Sequence, residues 1–388
     1  MRLLLINYEF PPLGGGGGIV TASLAREYAA KGHQVLVLTA SFRDLPRFEI
    51  RDGYRIERVP ALRSQLHSAK VSEMLSFDLS ASWTGLWRVR DFRPDLIHCF
   101  FGIPTGPVAY LLGRTYRIPY VVFLGGRDVP RPHPDPPHYK YLYVLLKPAI
   151  RAIWREAAAV VACSEGLREL ARQTDPRVPI RVIPDGIDLS RFRAKPPVPS
   201  DSSRPFRILG IGRLIPRKGF DTLLRAAAEL KSRTGRPFQV RIVGEGPEGE
   251  PLRRLAQALG IADRVEWAGT VPYERLPEQY AWADLFVLSS HAEGMPLVVL
   301  EAMATALPIL ATPVQGMDEL VQEAVNGYRF PVGDAKALAD RMQELLEDPE
   351  RCVAMGQESR RIVAKYAWPQ IAERYLALFE EVLSRSER

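Results

Sequence analysis

One pattern limits what this chain can fold into. A short apolar run of strand length, a glycine-bearing loop and a helical stretch occur in that order at the amino terminus and again past the middle. Residues 2–8 lead through Glu-Phe-Pro-Pro-Leu into five glycines, Gly14 to Gly18. A helical pattern carried by Val20, Leu24 and Tyr28 follows, and then a strand at 35–39. Residues 207–211 lead into Gly212-Arg213-Leu214, a helix over 220–233 and a strand at 238–243. Apolar runs with little alternation suit strands covered on both faces, and strand–helix–strand order implies parallel crossovers. The fold class expected is therefore α/β, with two Rossmann-like, doubly wound domains, 1–190 and 206–367. Between them 191–205 carries Pro196, Pro197, Pro199 and a Ser-Asp-Ser-Ser run, which is linker composition. Ligands are expected in a cleft between the two domains.

A length of 388 residues agrees with two cores rather than one. Hydrophobic content of 46% and charged content of 25% are those of a globular chain. No run of 18 apolar residues reads as a membrane span, and the opening residues read as a first strand rather than a secretory signal. Cys99, Cys163 and Cys352 lack metal-like spacing, and three scattered cysteines fit a reducing cytoplasm. The net charge of +7 is uneven: residues 60–155 hold 13 Lys/Arg against 6 Asp/Glu, and residues 206–349 hold 16 against 20. The basic half suits an anionic partner such as lipid headgroups, a lipid-linked phosphate or an acidic glycan; a solvated basic face explains it equally well. No nucleic-acid module appears, so nucleic acid is not an expected partner. The helix expected over 139–155 mixes aromatic and basic residues, which fits either a membrane surface or packing on the sheet.

Chemistry concentrates at the carboxyl ends of the second domain's strands. The apolar run 283–288 reads as a strand, followed by Ser289-Ser-His-Ala-Glu293-Gly294-Met295-Pro296-Leu297 and a helix beginning near Pro296. Free N–H groups at such a helix start attract a phosphate. Glu301 lies one turn beyond Leu297, so two carboxylates flank an anion site. That layout suits a phosphate centre with hydroxyls on both sides, as in a nucleotide sugar. Arg213 and Lys218, in the loop after 207–211, supply cations for a diphosphate leaving group. A dinucleotide-binding fingerprint is disfavoured: residues 9–13 separate the first strand from the glycines, and the second strand closes on Thr39-Ala40-Ser41 without an acid.

The order of these segments resembles the family-four glycosyltransferases (glycosyl transferases group 1). The resemblance covers nearly the whole chain. It is carried by the glycines after the first strand, Gly32-His33-Gln34-Val35, Cys163-Ser164-Glu165 and Val182-Ile-Pro-Asp-Gly-Ile-Asp. Further on it is carried by Gly212-Arg213-Leu214 with Lys218-Gly219, Val243-Gly244-Glu-Gly-Pro247, Ala283-Asp284, and Glu293-Gly-Met-Pro with Glu301-Ala-Met. It implies a GT-B fold whose last helix, 368–388, packs back on the first domain, and a retaining hexosyl transfer from a nucleoside-diphosphate sugar. The basic half and the aromatic helix suggest a glycan or lipid-linked acceptor, in surface polysaccharide or glycolipid synthesis; the expected location is the cytoplasm, either free or at the inner face of the cytoplasmic membrane. No cofactor or metal is implied beyond the donor, and the sequence holds no Asp-x-Asp.

The resemblance also assigns roles. Arg213 and Lys218 hold the diphosphate. Glu293, Gly294, Met295, Pro296 and Leu297 line the transferred sugar, and Glu301 takes the ribose hydroxyls. Gly244 and Val271 pack the base, while Gly15, Gly16 and Gly17 approach the donor phosphate and the acceptor. Many relatives follow the strand at 120–124 with His-Gly-Ser-Asp; here Gly125-Gly126-Arg127-Asp128 stands there, keeping the Asp and losing the His. Asp128 is a candidate catalytic group and Arg127 a candidate for an anionic acceptor. His98 is read either as an acceptor ligand or as a strand-end packing residue. The competing readings are a GT-B epimerase or phosphorylase and a non-catalytic nucleotide-sugar-binding subunit.

Overall fold

A computed structural model describes residues 1–66, 69–125, 129–130, 137–194 and 204–386, with the side chains of 137–140 and 386 left aside. The described residues of 1–185 together with 368–386 form one compact unit, and those of 186–367 form the other. Most of the expected linker, 195–203, lies outside the described residues, as do 131–136 of the Pro-rich stretch.

The first unit is built on eight strands: β1 (Arg2–Ile6), β2 (Gln34–Ala40), β3 (Phe48–Arg51), β4 (Tyr54–Val59), β5 (Leu96–Phe100), β6 (Tyr120–Leu124), β7 (Ala159–Ala162) and β8 (Ile180–Val182). Their order is β3-β4-β2-β1-β5-β6-β7-β8. Among the described residues only the β3–β4 pair is antiparallel, and Gly53 turns that hairpin at a φ of 83°. Helices α1 (Gly16–Ala30), α2 (Val71–Phe92), α3 (Gly106–Tyr116), α4 (Pro137–Glu156) and α5 (Glu165–Arg172) connect the strands. Every residue of β5 and β6 is buried, which is why their sequences lack alternation.

The last helix, Trp368–Ser386, belongs to this unit. Its Trp368, Ile371, Ala372, Tyr375, Phe379 and Val382 are buried at helical spacing. Phe379 packs on Tyr28 of α1, with ring centroids 5.7 Å apart. Arg181 grips Glu381 with both guanidinium nitrogens, at 2.5 and 2.6 Å, and Arg374 donates to the Val182 carbonyl at 2.8 Å.

The second unit carries six parallel strands in the order β11-β10-β9-β12-β13-β14. They are β9 (Phe206–Ile211), β10 (Phe238–Val243), β11 (Val265–Gly269), β12 (Leu285–Leu288), β13 (Ile309–Ala311) and β14 (Gly327–Arg329). Seven helices accompany them: α6 (Phe220–Arg233), α7 (Gly249–Ala258), α8 (Leu276–Trp282), α9 (Leu297–Ala304), α10 (Met317–Leu320), α11 (Ala335–Glu347) and α12 (Pro349–Val363). The Trp368–Ser386 helix of the first unit is α13. Ile208, Leu223, Leu230, Val240, Ile242, Leu285 and Leu310 are fully buried in the core of this unit, each contributing about 1.5–3 kcal/mol. Asp334 and Asp348 cap α11 and α12, accepting from Ala337 N and Arg351 N, each at 2.9 Å.

Candidate active site

In an open α/β sheet, ligands bind at the carboxyl ends of the two strands between which the order reverses. In the second unit those strands are β9 and β12, whose loops carry Arg213, Lys218 and Glu293. The two loops are joined through their backbones. His291 N donates to Arg217 O at 2.8 Å, and Ser289 Oγ donates to Lys218 O at 3.2 Å. Gly219 follows a 3-10 turn, Pro216–Lys218, at a φ of 61°. A Cβ there would stand 2.1 Å from the Ser289 carbonyl oxygen, so only glycine allows this approach. Gly244 plays the same part on the other side, where a Cβ would lie 2.0 Å from Gly212 O. Its N–H donates to Gly269 O at 2.7 Å, tying in the chain that leads to half-buried Val271.

The joined loops bring Lys218 Nζ to 2.5 Å from Glu293 Oε1. The two side chains are only 16% and 10% exposed. Burial pushes the Glu293 carboxyl up, but Lys218 and Arg217 beside it outweigh that, and its pKa is held below the ordinary value. Glu293 is thus an anion fixed against a cation. Gly294, Met295 and Pro296 are buried immediately beyond it. Pro296 is the N-cap of α9, extended at φ −76° and ψ 111°, one place earlier than the first helical position expected for it.

Glu301 lies on α9 one turn on, 2% exposed. Tyr280 Oη donates to its Oε2 at 2.5 Å. Burial raises the Glu301 carboxyl to about 7, against the opposing pull of Tyr280 and Arg191. Tyr280 has no signal in the sequence, because it comes from α8 and meets Glu301 only through the fold.

In the first unit the reversal falls between β1 and β5. The glycine loop after β1 is braced from beneath. Asn7 Nδ2 donates to Thr21 Oγ1 at 2.7 Å and to Gly17 O at 3.2 Å. Gly15 N donates to Glu9 Oε2 at 3.2 Å. Gly15 and Gly16 are exposed and Gly17 is half-buried. Asn7 and Glu9 were not among the expected site residues, although they flank the loop in sequence.

Comparison with known proteins identifies this arrangement. Residues 193–362 match the glycosyl transferases group 1 family, and residues 15–186 match the glycosyl transferase 4-like domain. A D-inositol 3-phosphate glycosyltransferase of Acidothermus cellulolyticus is 30% identical over 97% of this chain and 88% of its own. A GDP-mannose-dependent alpha-(1-6)-phosphatidylinositol monomannoside mannosyltransferase of Mycobacterium tuberculosis is 28% identical, covering 96% of both chains. The solved sucrose-phosphate synthase of Thermosynechococcus elongatus superposes with a TM-score of 0.84 at 24% identity, over 99% of this chain and 100% of its own. The chain belongs to the group 1 glycosyltransferases. Its two parallel-sheet α/β domains have the GT-B fold.

In this glycosyltransferase one expected site residue is displaced. His98 is fully buried on β5, within an aromatic cluster of Phe100 at 4.4 Å, Tyr375 at 5.0 Å and Phe379 at 5.3 Å between centroids. Burial drives its pKa down to about 3, so the ring is neutral. It is a packing residue beneath α13, and the acceptor-ligand reading of His98 is corrected. Arg127 and Asp128 lie outside the described residues. Gly125, which stands where the family resemblance expects His, is described. A Cβ at that position would lie 2.3 Å from Cε1 of Phe101. The glycosyltransferase therefore has no room for a side chain there while Phe101 keeps its place.

Proposed function

We propose that this glycosyltransferase moves a hexose from a nucleoside-diphosphate sugar to a hydroxyl of a glycan or lipid-linked acceptor, with retention of configuration. The observation that carries this reading is the buried Lys218–Glu293 pair at the β9/β12 reversal, followed directly by α9 with the buried Glu301. Lys218 and Arg213 neutralise the departing diphosphate, and the first N–H groups of α9 add to that. Glu293 with Gly294, Met295, Pro296 and Leu297 fixes the sugar, Glu301 takes the ribose, and Gly244 and Val271 border the base. Gly15, Gly16 and Gly17 approach the donor phosphate and the acceptor. Asp128 and Arg127 keep their proposed roles there. Attack comes on the face the phosphate leaves, and the phosphate oxygen takes the acceptor's proton, so no cofactor enters. The name of the mycobacterial relative, GDP-mannose-dependent, supports a nucleotide-sugar donor.

Thermal shift with UDP, GDP and ADP tests the donor site. At 100 times its dissociation constant, the matching nucleotide adds about 2.7 kcal/mol of stability. The matching nucleotide sugar is then consumed with an acceptor alcohol in EDTA and without phosphate. A flat melting point with every nucleotide refutes the donor site. A requirement for free phosphate moves the reading to a phosphorylase.

A peripheral contact with an anionic membrane belongs to the same reading. Val71, Leu75, Leu79, Trp83 and Trp87 recur every fourth residue of α2 and are 40–75% exposed. Trp83 and Trp87 pack edge to face at 6.4 Å, and Arg90 lies over Trp87. Tyr141, Val144 and Leu145 of α4 are exposed as well, whereas Ile150, Ile153 and Trp154 of the same helix are buried. Among the described residues no helix is long and apolar enough to cross a membrane. Co-sedimentation with phosphatidylglycerol vesicles is expected to weaken about tenfold or more in Trp83→Ser/Trp87→Ser, and to weaken with salt. Equal sedimentation of parent and variant would remove α2 from the contact.

A further inference from the structure

The residue that follows β5, at the strand reversal of the first unit, is Phe101. Its backbone has a φ of 78°, in the left-handed region where a bulky side chain is a true outlier. Arg93 and Arg117 share that region, but each does so as the C-cap of a helix. Phe101 ends a strand and closes no helix. It is held there from both sides. Its N–H donates to Phe123 O at 2.7 Å, and its carbonyl accepts from the buried Thr105 hydroxyl at 2.8 Å.

The ring sits between two glycines, one in the first turn of α1 and one after β6. A Cβ on Gly17, in the first turn of α1, would meet its Cζ at 2.4 Å, and a Cβ on Gly125 would meet its Cε1 at 2.3 Å. Tyr8, from the loop after β1, packs on the same ring with centroids 5.6 Å apart. Phe101 is 7% exposed, while Gly15 and Gly16 next to this wedge are open. A side chain that only filled core volume would need neither an unfavourable backbone nor glycine on two flanks. Strain of this kind persists where the surroundings over-determine it, and it clusters at functional sites.

We propose that Phe101 is the specificity-determining wedge of the acceptor crevice. Its ring sets the gap between the glycine loop and the chain leaving β6, and it forms an apolar floor under the acceptor hydroxyl. This rests on the reading of the chain as a nucleotide-sugar transferase. With the diphosphate and ribose assigned to the second unit, the reversal point of the first is left for the acceptor. The residue positions rather than reacts, so its effect belongs in acceptor KM and acceptor choice.

The test uses the full chain and four variants: Phe101→Ala, Phe101→Leu, Gly125→Ala and Phe101→Ala/Gly125→Ala. UDP-glucose and GDP-mannose serve as donors. Methyl α-mannoside, phosphatidylinositol vesicles and water serve as acceptors. Gly125→Ala is expected to lower kcat/KM for the acceptor about tenfold or more, with nucleotide affinity unchanged. Phe101→Ala is expected to change acceptor KM by about tenfold and to shift turnover towards hydrolysis, with Phe101→Leu intermediate. The double variant is expected to lose no more than Phe101→Ala alone, because the added methyl no longer meets a ring. Unchanged acceptor KM and unchanged transfer-to-hydrolysis ratio in Phe101→Ala, with only a lower Tm, would overturn the proposal. So would losses from Phe101→Ala and Gly125→Ala that simply multiply in the double variant. Parent protein that binds no nucleotide overturns the transferase reading first, and is told apart because acceptor kinetics then never arise.

Discussion

Lys218→Met and Glu293→Gln are each expected to lower sugar transfer by about two to three orders of magnitude, the loss seen when a fixed electrostatic stabiliser is removed. The single changes should differ in stability. With Nζ and Oε1 2.5 Å apart and both side chains largely buried, removing the cation alone leaves a buried carboxylate. Breaking such a pair costs about 3–5 kcal/mol, offset in part here by Arg217, which also acts on Glu293. Glu293→Gln leaves a buried ammonium instead. Lys218→Met/Glu293→Gln removes both charges, so its Tm should return towards that of the parent while transfer stays lost. That dissociation is the decisive outcome, measured by thermal denaturation beside a donor-consumption assay. If the double variant regained turnover along with its Tm, the pair would be a structural bridge and the catalytic assignment would fail.

The double variant is informative because of how the pair arises. Each half was legible locally: an apolar strand, then Gly-Arg-Leu and a lysine; an apolar strand, then Glu-Gly-Met-Pro and a helix. Their meeting was not. It depends on Gly219 lying against the Ser289 carbonyl and on His291 N reaching Arg217 O, contacts between segments some 70 residues apart for which no local pattern codes. Short-range periodicity likewise found β6 and α6 at their observed bounds. It assigned no element to residues 60–95, where α2 is 22 residues long. Two apolar faces explain the miss. Phe77, Ala81, Gly85 and Val89 are buried, whereas Leu75, Leu79, Trp83 and Trp87 point outward, so no single stripe stands out.

His98 was left between two readings, ligand and packing residue, for the opposite reason. A polar residue near a strand's carboxyl end reads as a ligand when only its neighbours in sequence are considered. Its environment is set by Tyr375 and Phe379 of α13, about 280 residues away. Phe101 had no sequence signal at all: neither its left-handed backbone nor its fit between Gly17 and Gly125 can be read from Phe-Phe-Gly. Where the backbone departs from the favoured regions, propensity and pattern stop being informative.

Glu301→Gln is expected to weaken nucleoside-diphosphate binding by about 100-fold, equivalent to one or two hydrogen bonds to a charged acceptor. It should also remove a pH dependence. The Glu301 carboxyl is raised to about 7 by burial. Between its unfolded value near 4.5 and about 7, the folded protein therefore holds a proton that the unfolded chain has released. Its contribution to stability is present at the acid side of that window and is lost as pH rises through 7. Binding runs the other way. Ribose hydroxyls donate to the ionised carboxylate, lower its pKa and expel the proton. Nucleotide affinity should therefore climb from pH 5.5 to about 7 and then level off, with up to about one proton released at pH 6. Calorimetry in two buffers of different ionisation enthalpy measures that proton, and Glu301→Gln subtracts the phosphate's own titration. Tyr280→Phe supplies the sign control. The Tyr280 hydroxyl donates to Glu301 and pulls its pKa down, so without it the inflection should move to higher pH. An inflection that stayed in place in Tyr280→Phe, or that survived Glu301→Gln, would assign the titration to another group and take Glu301 out of the ribose site.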